Sequence, residues 1–183
     1  MADTQRTAAQ IIALLVNNTT GDISPQDLRD FAESMRTPHG KQYWHDSAVE
    51  TAISSAGAFV KANGTSIGTL SDPYKVDTTT TPNKLIYTGV SERHFQFMGV
   101  TSMPVVSGGN QDLAAVLYYN GAPMLDTETH TTSKTAGDLV TLTCHGDIVM
   151  STNDYIELWV TNDSSTSNVI VKDFYLFMAG MFQ

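Results

Sequence analysis

The feature that most constrains this chain is a change of hydrophobic period near Tyr43. From there onward, short runs alternate between apolar and polar residues, as on strands that bury one face. Turn-forming pairs such as Asn63-Gly64 and Asn120-Gly121 separate these runs. Many short strands at this spacing predict an antiparallel β-sandwich or barrel.

Eight strands are predicted by this alternation. They cover residues 51–54, 58–61, 84–87, 94–103, 112–119, 139–144, 155–161 and 169–178. The threonine-rich residues 75–81 predict a long loop, and the sequence His-Gly-Asp at 145–147 predicts a turn. The chain therefore reads as one β-domain of moderate size.

Two short helices are predicted ahead of the strands. Residues 7–16 are rich in helix formers, and Ile11, Leu14 and Leu15 contribute to a broad apolar face. A second helix start is indicated by Ser24 as the N-cap and Pro25 at the first helical position. The predicted division is a helical attachment segment at 1–42 and a sandwich domain at 43–183.

The second helix has a narrow apolar stripe. Leu28, Phe31 and Met35 follow one another at spacings of three and four. Such a stripe needs a surface to lie on. Three surfaces could serve: the first helix, the chain's own sandwich or another protein. The sequence leaves these three alternatives open, and attachment to another protein is the functional one.

Charge and composition exclude several classes of partner. The net charge is −9 at pH 7, and the ten basic residues form no cluster. Direct contact with nucleic acid or with an anionic membrane surface is therefore not expected. The apolar run at 11–16 is too short for a signal peptide or a membrane span, so the protein is expected to be made in the cytoplasm.

The last predicted strand differs from the others because it is apolar on both faces. Phe174, Leu176, Phe177 and Met178 lie within five consecutive residues. A strand at the surface of a two-layer sandwich needs a second cover if both of its faces are apolar. Self-association through this strand is the economical explanation.

Three segments resemble the tumour-necrosis-factor/C1q-like (TNF/C1q-like) jelly roll. They are residues 120–124 (NGAPM), 154–162 (DYIELWVTN) and 169–177 (VIVKDFYLF). The resemblance covers roughly residues 51–181. It implies a mainly β protein, an antiparallel jelly-roll sandwich preceded by two short N-terminal helices, which assembles as a homotrimer.

The resemblance also implies which residues meet in the trimer. The terminal strand and the strand around Tyr118 and Tyr119 are expected to approach the three-fold axis, with Trp159 near the core or the interface. The expected trimer interface contains Tyr118, Tyr119, Trp159, Phe174, Leu176, Phe177 and Met178. The chain has no collagen stalk, which departs from extracellular C1q-like members.

More narrowly, several segments resemble small bacteriophage structural proteins of this fold. These are residues 17–30, 37–40, 57–61, 83–89 and 92–95. The resemblance implies a location in the virion. The expected attachment helix surface consists of Ile11, Leu14, Leu15, Leu28, Phe31 and Met35.

Catalytic and metal-binding patterns are weak in this sequence. The single cysteine, Cys144, lies in an alternating run and is expected to be a packed strand thiol. Ser133, His130 and Asp126 contain the groups of a nucleophilic triad, but such a set is expected by chance in this composition. No catalytic residue, cofactor or metal site is predicted, and an enzyme is not expected.

Two structural functions follow from these expectations. In the first, the chain is a trimeric capsid decoration (cement) protein that binds the major capsid protein, or another virion protein, through its N-terminal segment. In the alternative, it is a tail-fibre or spike tip whose loops at 72–81 and 125–135 bind a host receptor or a glycan. The number of copies per particle distinguishes the two.

Overall fold

A computed structural model describes residues 6, 8–16, 23–64, 68–71, 76–78 and 81–181. Within these residues, two α-helices precede a two-layer β-sandwich. The helices are α1 (Ala8–Val16) and α2 (Pro25–Ser34). The fold class is the predicted one, an antiparallel jelly roll behind two short helices.

The described part of the chain contains fourteen strands. They are β1 (His39–Trp44), β2 (Glu50–Thr51), β3 (Val60–Lys61), β4 (Gly68–Ser71), β5 (Val76–Asp77), β6 (Leu85–Tyr87), β7 (Arg93–Met103), β8 (Gln111–Tyr119), β9 (Ala122–Pro123), β10 (Thr129–Ser133), β11 (Val140–Met150), β12 (Tyr155–Asn162), β13 (Val169–Ile170) and β14 (Asp173–Gly180). A 3-10 turn at Leu125–Thr127 lies between β9 and β10.

Two antiparallel sheets face each other. The five-stranded sheet has the order β11-β7-β14-β1-β4. The seven-stranded sheet has the order β10-β8-β12-β6-β5, with β3 beside β12 and β9 beside β8. A two-stranded pair, β13-β2, lies outside both. Neighbours in the five-stranded sheet are distant in sequence, as in a jelly roll.

The core fills the space between the sheets with inward-facing apolar side chains. Trp44 of β1 stacks on Phe174 of β14 with ring centroids 3.9 Å apart. The Trp44 indole N–H donates a hydrogen bond of 2.8 Å to the carbonyl of Val171, so the polar edge of the buried ring is satisfied. This pair fixes the last strand against the first.

The predicted turn at Asn120-Gly121 is confirmed in detail. Both residues have positive φ, 49° at Asn120 and 81° at Gly121, and Tyr119 pairs with Ala122 across the turn. A two-residue hairpin loop with this backbone matches the right-handed twist of its strands. Asparagine and glycine adopt it at low cost.

The predicted turn at 145–147 is wrong, because β11 runs through it without interruption. A Cβ added to Gly146 would lie 2.7 Å from the Thr127 side chain. The glycine is therefore required by close packing of the 3-10 turn against the strand, and not by a change of chain direction. The strand predicted at 139–144 consequently extends to Met150.

Several strands fall where loops were expected. β5 lies inside the predicted loop at 75–81, of which residues 75, 79 and 80 are outside the described part. β10 lies inside the expected loop at 125–135 and takes up five of its residues. β1 begins at His39, ahead of the expected domain start at 43, and pairs along its length with β14. Short and mostly polar strands carry little hydrophobic signal, which is why alternation missed them.

The second helix begins as predicted. The Ser24 side chain accepts a hydrogen bond from the Asp27 amide, and the Asp27 carboxylate accepts one from the Ser24 amide, 3.0 Å away. This reciprocal capping box satisfies two otherwise unpaired donors. Arg93 of β7 donates hydrogen bonds to the carbonyls of Ser34 and Arg36, which ties the end of the helix to the sandwich.

Candidate interaction surfaces

The outward face of the five-stranded sheet is the first candidate surface, here called the five-strand face. Side chains of β14 alternate along it, with Tyr175, Phe177 and Ala179 outward and half-buried. The register places Phe177 between Lys41 of β1 and Met98 of β7. An aromatic and aliphatic strip therefore runs along the middle of this sheet.

Three predicted interface residues lie elsewhere. Phe174, Leu176 and Met178 point into the core, where at most 1% of each side chain is exposed. The expectation that they contact a partner chain requires correction, because alternate residues of one strand occupy opposite faces. Phe177 is the member of the terminal strand that remains on the five-strand face.

Aromatic rings and one cation organise the five-strand face. The Lys41 ammonium lies 5.5 Å from the centroid of the Tyr43 ring and 5.7 Å from that of Tyr175. Tyr175 and Phe177 stack with centroids 6.4 Å apart. The Tyr43 ring lies across Gly68 of β4, where an added Cβ would be 2.3 Å from the ring. Cation–π attraction from Lys41 and the absence of a side chain at Gly68 hold the tyrosines flat on the sheet.

A depression of about 420 Å³ indents the same face beside Phe177. Its lining residues come from three neighbouring strands, and they include Gln96, Met98, His145, Asp147 and Ala179. The lining therefore includes both apolar and polar side chains. A surface of this shape accommodates a protruding side chain of a partner protein.

The outward face of the seven-stranded sheet carries the second candidate surface, an aromatic cluster of Phe59, Tyr118 and Trp159. Tyr118 and Trp159 stack with centroids 4.1 Å apart and an interplanar angle of 11°. Phe59 meets Tyr118 edge-on at 6.4 Å. Burial, with a contribution from the nearby negative charge of Glu128, raises the pKa of Tyr118.

A buried ion pair supports this cluster. Glu157 is only 7% exposed, and one carboxylate oxygen accepts a bond of 2.7 Å from the Lys61 ammonium. Its other oxygen accepts a bond of 3.1 Å from the indole N–H of Trp159. The buried carboxylate is thus paired and hydrogen-bonded on both oxygens, which offsets its desolvation.

The predicted interface residues therefore occupy three environments. Tyr118 and Trp159 lie on one outer face of the sandwich, and Phe177 lies on the other. Tyr119 points to the core side, and its hydroxyl donates a hydrogen bond of 2.5 Å to Asp154. A single patch around one axis does not include all of them.

Several residues of the five-strand face were not anticipated from the sequence. They are Lys41, Tyr43, Met98 and Val100, which share the outward parity of Phe177 on the neighbouring strands β1 and β7. Identifying them requires strand pairing, because β1 and β7 are far from β14 in sequence.

The helical stripe is the third candidate surface. Leu28 is 59% exposed, Phe31 is 40% and Met35 is 45%. The buried residues of α2 are instead Asp30 and Ser34, which are polar. The sequence left three possible covers for this stripe, which are the first helix, the sandwich and another protein. In the described part of the chain, neither the first helix nor the sandwich buries it.

Polar contacts explain why α2 turns its polar side inward. Arg6 pairs with Asp30 at 2.7 Å and with Asp27 at 3.3 Å, and its amide donates to the Ser34 hydroxyl at 2.7 Å.

The expected apolar face of α1 is described at one of its three residues. Ile11 is half-buried, while the side chains of Leu14 and Leu15 lie outside what the structure describes.

The structure does not assemble the triad considered above. Ser133 is buried and its hydroxyl donates to the Thr135 carbonyl. His130, on the opposite side of β10, pairs with Glu128 and Asp163 and not with Asp126. Among the described residues, no group of three or more His, Cys, Asp or Glu side chains is placed to hold a metal ion.

Cys144 is a core residue, as predicted. It is fully buried, and burial raises the pKa of its thiol to about 11. A protonated, inaccessible thiol is a poor nucleophile. In the described part of the chain, neither helix has the length and apolar character that crossing a bilayer requires.

Comparison with known proteins defines the fold. No protein-family model matches the sequence, and no curated protein does. A crystal structure of murine APRIL at pH 5.0 aligns with a TM-score of 0.51 and 7% identity, covering 78% of this chain and 99% of that chain. A structure of Pika GITRL covers 81% and 98% at 12% identity, with a TM-score of 0.43.

At these identities the comparison concerns the fold alone. The aligned region spans most of this chain and nearly all of the APRIL chain. The expected fold resemblance is therefore confirmed. The sandwich of this protein is a TNF-like jelly roll.

Proposed function

We propose that this chain is a non-enzymatic structural protein that self-associates through the five-strand face and attaches to a larger particle through its N-terminal helical stripe. The observation that carries the proposal is the outward side of β14. Tyr175 and Phe177 form an apolar strip there, while the inward residues of the same strand already complete the core. A second copy of the chain is the proposed cover.

Three copies are proposed, as the TNF/C1q-like resemblance implies. A closed ring satisfies every copy with one kind of contact and leaves no apolar face uncovered. The composition of the strip supports a protein cover, since aromatic rings dominate it and the Lys41 ammonium lies over two of them. This arrangement places the aromatic cluster on the outside of the trimer.

The exposed stripe on α2 supports the attachment role. A solvent-facing row of Leu28, Phe31 and Met35 beside a polar inward side is suited to insertion in an apolar groove of a partner. The resemblance of residues 17–30 to an N-terminal module of bacteriophage structural proteins supplies the proposed setting, a virion made in the host cytoplasm. The proposed partner is the major capsid protein or another virion protein.

A tail-fibre or spike tip is the alternative proposal, and the aromatic cluster favours it. Partly exposed Phe59, Tyr118 and Trp159 offer ring edges and faces of the kind that contact sugars. In this alternative the receptor or glycan binds the outer face of the seven-stranded sheet. The self-association face and the helical stripe keep their roles.

The copy number of the chain in purified particles tests the proposal. Quantitative mass spectrometry would give its ratio to the major capsid protein. A ratio comparable to one is expected for a decoration protein, whereas a ratio at least tenfold lower supports the tail-fibre alternative. Absence of the chain from particles overturns both.

A further inference from the structure

The sequence contains two Asn-Gly pairs, Asn63-Gly64 and Asn120-Gly121. In such a pair the backbone nitrogen of the glycine can attack the carbonyl carbon of the asparagine side chain, because glycine has no Cβ to hinder the approach. The new C–N bond closes a five-membered succinimide ring, and the side-chain nitrogen leaves as ammonia with the proton of the glycine N–H. Water then opens the ring to aspartate or isoaspartate, so water is the only other reactant.

The structure holds the side chain of Asn120 in place. Its amide nitrogen donates a hydrogen bond of 2.7 Å to Asp154 Oδ1, and its amide oxygen accepts one of 3.0 Å from the Tyr155 N–H. The bond to the carboxylate is charge-assisted and therefore one of the stronger kinds. Ring closure at Asn120 requires the side chain to turn away from both partners.

The side chain of Asn63 has no such restraint in the described part of the chain. Asn63 is exposed, and no described residue forms a hydrogen bond with its side-chain amide. Its backbone N–H donates a bond of 3.2 Å to the Thr51 hydroxyl, which leaves the side chain unaffected. The N–H of Gly64, whose nitrogen is the nucleophile, also has no hydrogen-bond partner among the described residues.

We propose that Asn63 is a site of spontaneous deamidation in the folded protein, whereas the hydrogen bonds of Asn120 protect it. Both sites contain the same reacting pair, so the difference between them comes from the tertiary structure. At Asn63 no described side-chain contact has to break before the carbonyl carbon approaches the Gly64 nitrogen. At Asn120 two hydrogen bonds have to break first.

Deamidation changes the charge of one surface depression. Asn63, Lys61 and Glu50 are among the residues that line this depression of about 390 Å³. The Lys61 ammonium is already paired with the Glu157 carboxylate at 2.7 Å. A carboxylate at position 63 therefore makes the depression more negative.

Isoaspartate has a second effect, because it adds a methylene group to the main chain. Gly64 is packed against the indole ring of Trp44, where an added Cβ would lie 2.4 Å from a ring carbon. This ring is buried and stacks on Phe174 in the core. A longer main chain at position 63 displaces Gly64 from the ring and is expected to lower the stability of the sandwich.

The test compares the two asparagines within one protein. The full wild-type chain is incubated at physiological temperature and mildly alkaline pH, and samples taken over time are digested and analysed by mass spectrometry. Trypsin places Asn63 in the peptide 62–75 and Asn120 in the peptide 94–134. The rate at Asn63 is expected to exceed that at Asn120 by about tenfold or more, because of the hydrogen bonds that Asn120 must break. The sample taken at time zero corrects for deamidation during digestion.

Two controls make the test specific. In guanidinium chloride the hydrogen bonds of Asn120 are lost, so the rates at the two sites are expected to become similar. Asn63→Gln keeps an amide but does not form the five-membered ring, and it is expected to abolish modification at this position. After equal incubation, the wild type should unfold at a lower temperature than before, whereas Asn63→Gln should keep its midpoint.

The outcomes decide the two parts of the inference separately. Equal rates at the two asparagines in the folded protein, or a faster rate at Asn120, overturn the assignment of the site. Reaction of Asn63 in guanidinium chloride but not in the folded chain overturns it as well. Modification of Asn63 with an unchanged unfolding midpoint upholds the site and overturns its effect on the Trp44 contact. None of these measurements depends on self-association, so the proposed function is tested independently.

Discussion

Leu176 and Phe177 are adjacent in β14, yet their side chains lie on opposite sides of the five-stranded sheet. Leu176 is fully buried in the core, opposite Gly99 in the strand register. Phe177 is half-buried on the outward face between Lys41 and Met98. One strand therefore serves the interior of the protein and its proposed contact surface.

Charging the outward residue should break the assembly without unfolding the chain. Phe177→Asp is expected to give a folded monomer, because Lys41 lies opposite and tolerates the new carboxylate while the partner surface does not. Light scattering measures the mass. Leu125→Asp, which charges an exposed apolar residue outside the five-strand face, should leave the mass unchanged.

The same change one residue earlier should unfold the protein. Leu176→Asp places a charge in a fully buried position and is expected to cost about 3–5 kcal/mol of the free energy of unfolding. Chemical denaturation at fixed protein concentration measures this. If Phe177→Asp remains an oligomer while Leu176→Asp unfolds, the assignment of the contact face is wrong.

The helical stripe should matter for attachment alone. Replacing Leu28, Phe31 and Met35 by glutamine is expected to abolish binding to purified particles, because each side chain is at least 40% exposed and available to a partner. Removal of residues 1–36 should do the same and leave the proposed trimer intact. Co-sedimentation with particles measures binding, and Arg29→Gln on another side of α2 is the control.

A truncated protein that still sediments with particles at normal occupancy would locate attachment in the sandwich. The variants should elute at the same volume as the wild type in size-exclusion chromatography. A change of oligomeric state in the stripe variant would mean that α2 contributes to the contact between copies.

The Lys61–Glu157 pair should stabilise the seven-stranded sheet. Lys61→Met removes one partner of a carboxylate that is 7% exposed, and is expected to cost about 1–3 kcal/mol in the free energy of unfolding. Adding Glu157→Gln should restore part of the loss, since no buried charge is then left unpaired. Urea unfolding of the two variants decides whether the pair is coupled.

The Tyr119–Asp154 contact should make stability depend on pH in acid. Burial alone would raise the pKa of Asp154, but bonds from the Tyr119 hydroxyl, the Asn120 amide and the Ser151 amide lower it. Because the folded pKa is lowered, the stabilisation is present above the ordinary carboxyl pKa of about 4. It is lost as pH falls through the folded value.

Asp154→Asn is therefore expected to be less stable than the wild type at neutral pH, with a difference that shrinks below about pH 4.

The Tyr119 phenol should make stability depend on pH in base as well. Burial, then the hydrogen bond to Asp154, raises the pKa of Tyr119 to about 12, so the folded state favours the neutral phenol. Stability should decline between about pH 10 and that value.

The buried thiol should be unreactive in the folded protein. Burial raises the pKa of Cys144 to about 11, so thiolate is scarce at neutral pH and the sulfur is inaccessible. Labelling with a thiol reagent is expected in denaturant and not under native conditions. Rapid native labelling would contradict the core assignment of this strand.

Much of the fold follows from local sequence. The hairpin at Asn120-Gly121 and the helix start at Ser24 were predicted from residue types whose backbone preferences are local. The strand before that hairpin, β8, was also predicted, whereas the two-residue strand β9 after it was not. The strand β1 and the edge strands β4 and β10 were missed, since their mostly polar sequences leave no clear alternation.

The interaction surfaces likewise follow partly from the local sequence and partly from the tertiary structure. The sequence by itself determined that β14 is apolar on both faces, and that Leu28, Phe31 and Met35 form one stripe, because side-chain direction follows the period of the element. Only the tertiary structure decided which face of β14 is outward, and that α2 turns its stripe away from the sandwich.

The tertiary structure also decided what shares a surface. Pairing between strands distant in sequence puts Tyr118 with Trp159 on one sheet and Phe177 with Lys41 on the other. It also places four histidines, from β1, β7, β11 and the residues after β1, on or beside the five-strand face. Strand order fixes such neighbours, and it depends on how two whole sheets bury their apolar faces together, which no local pattern encodes.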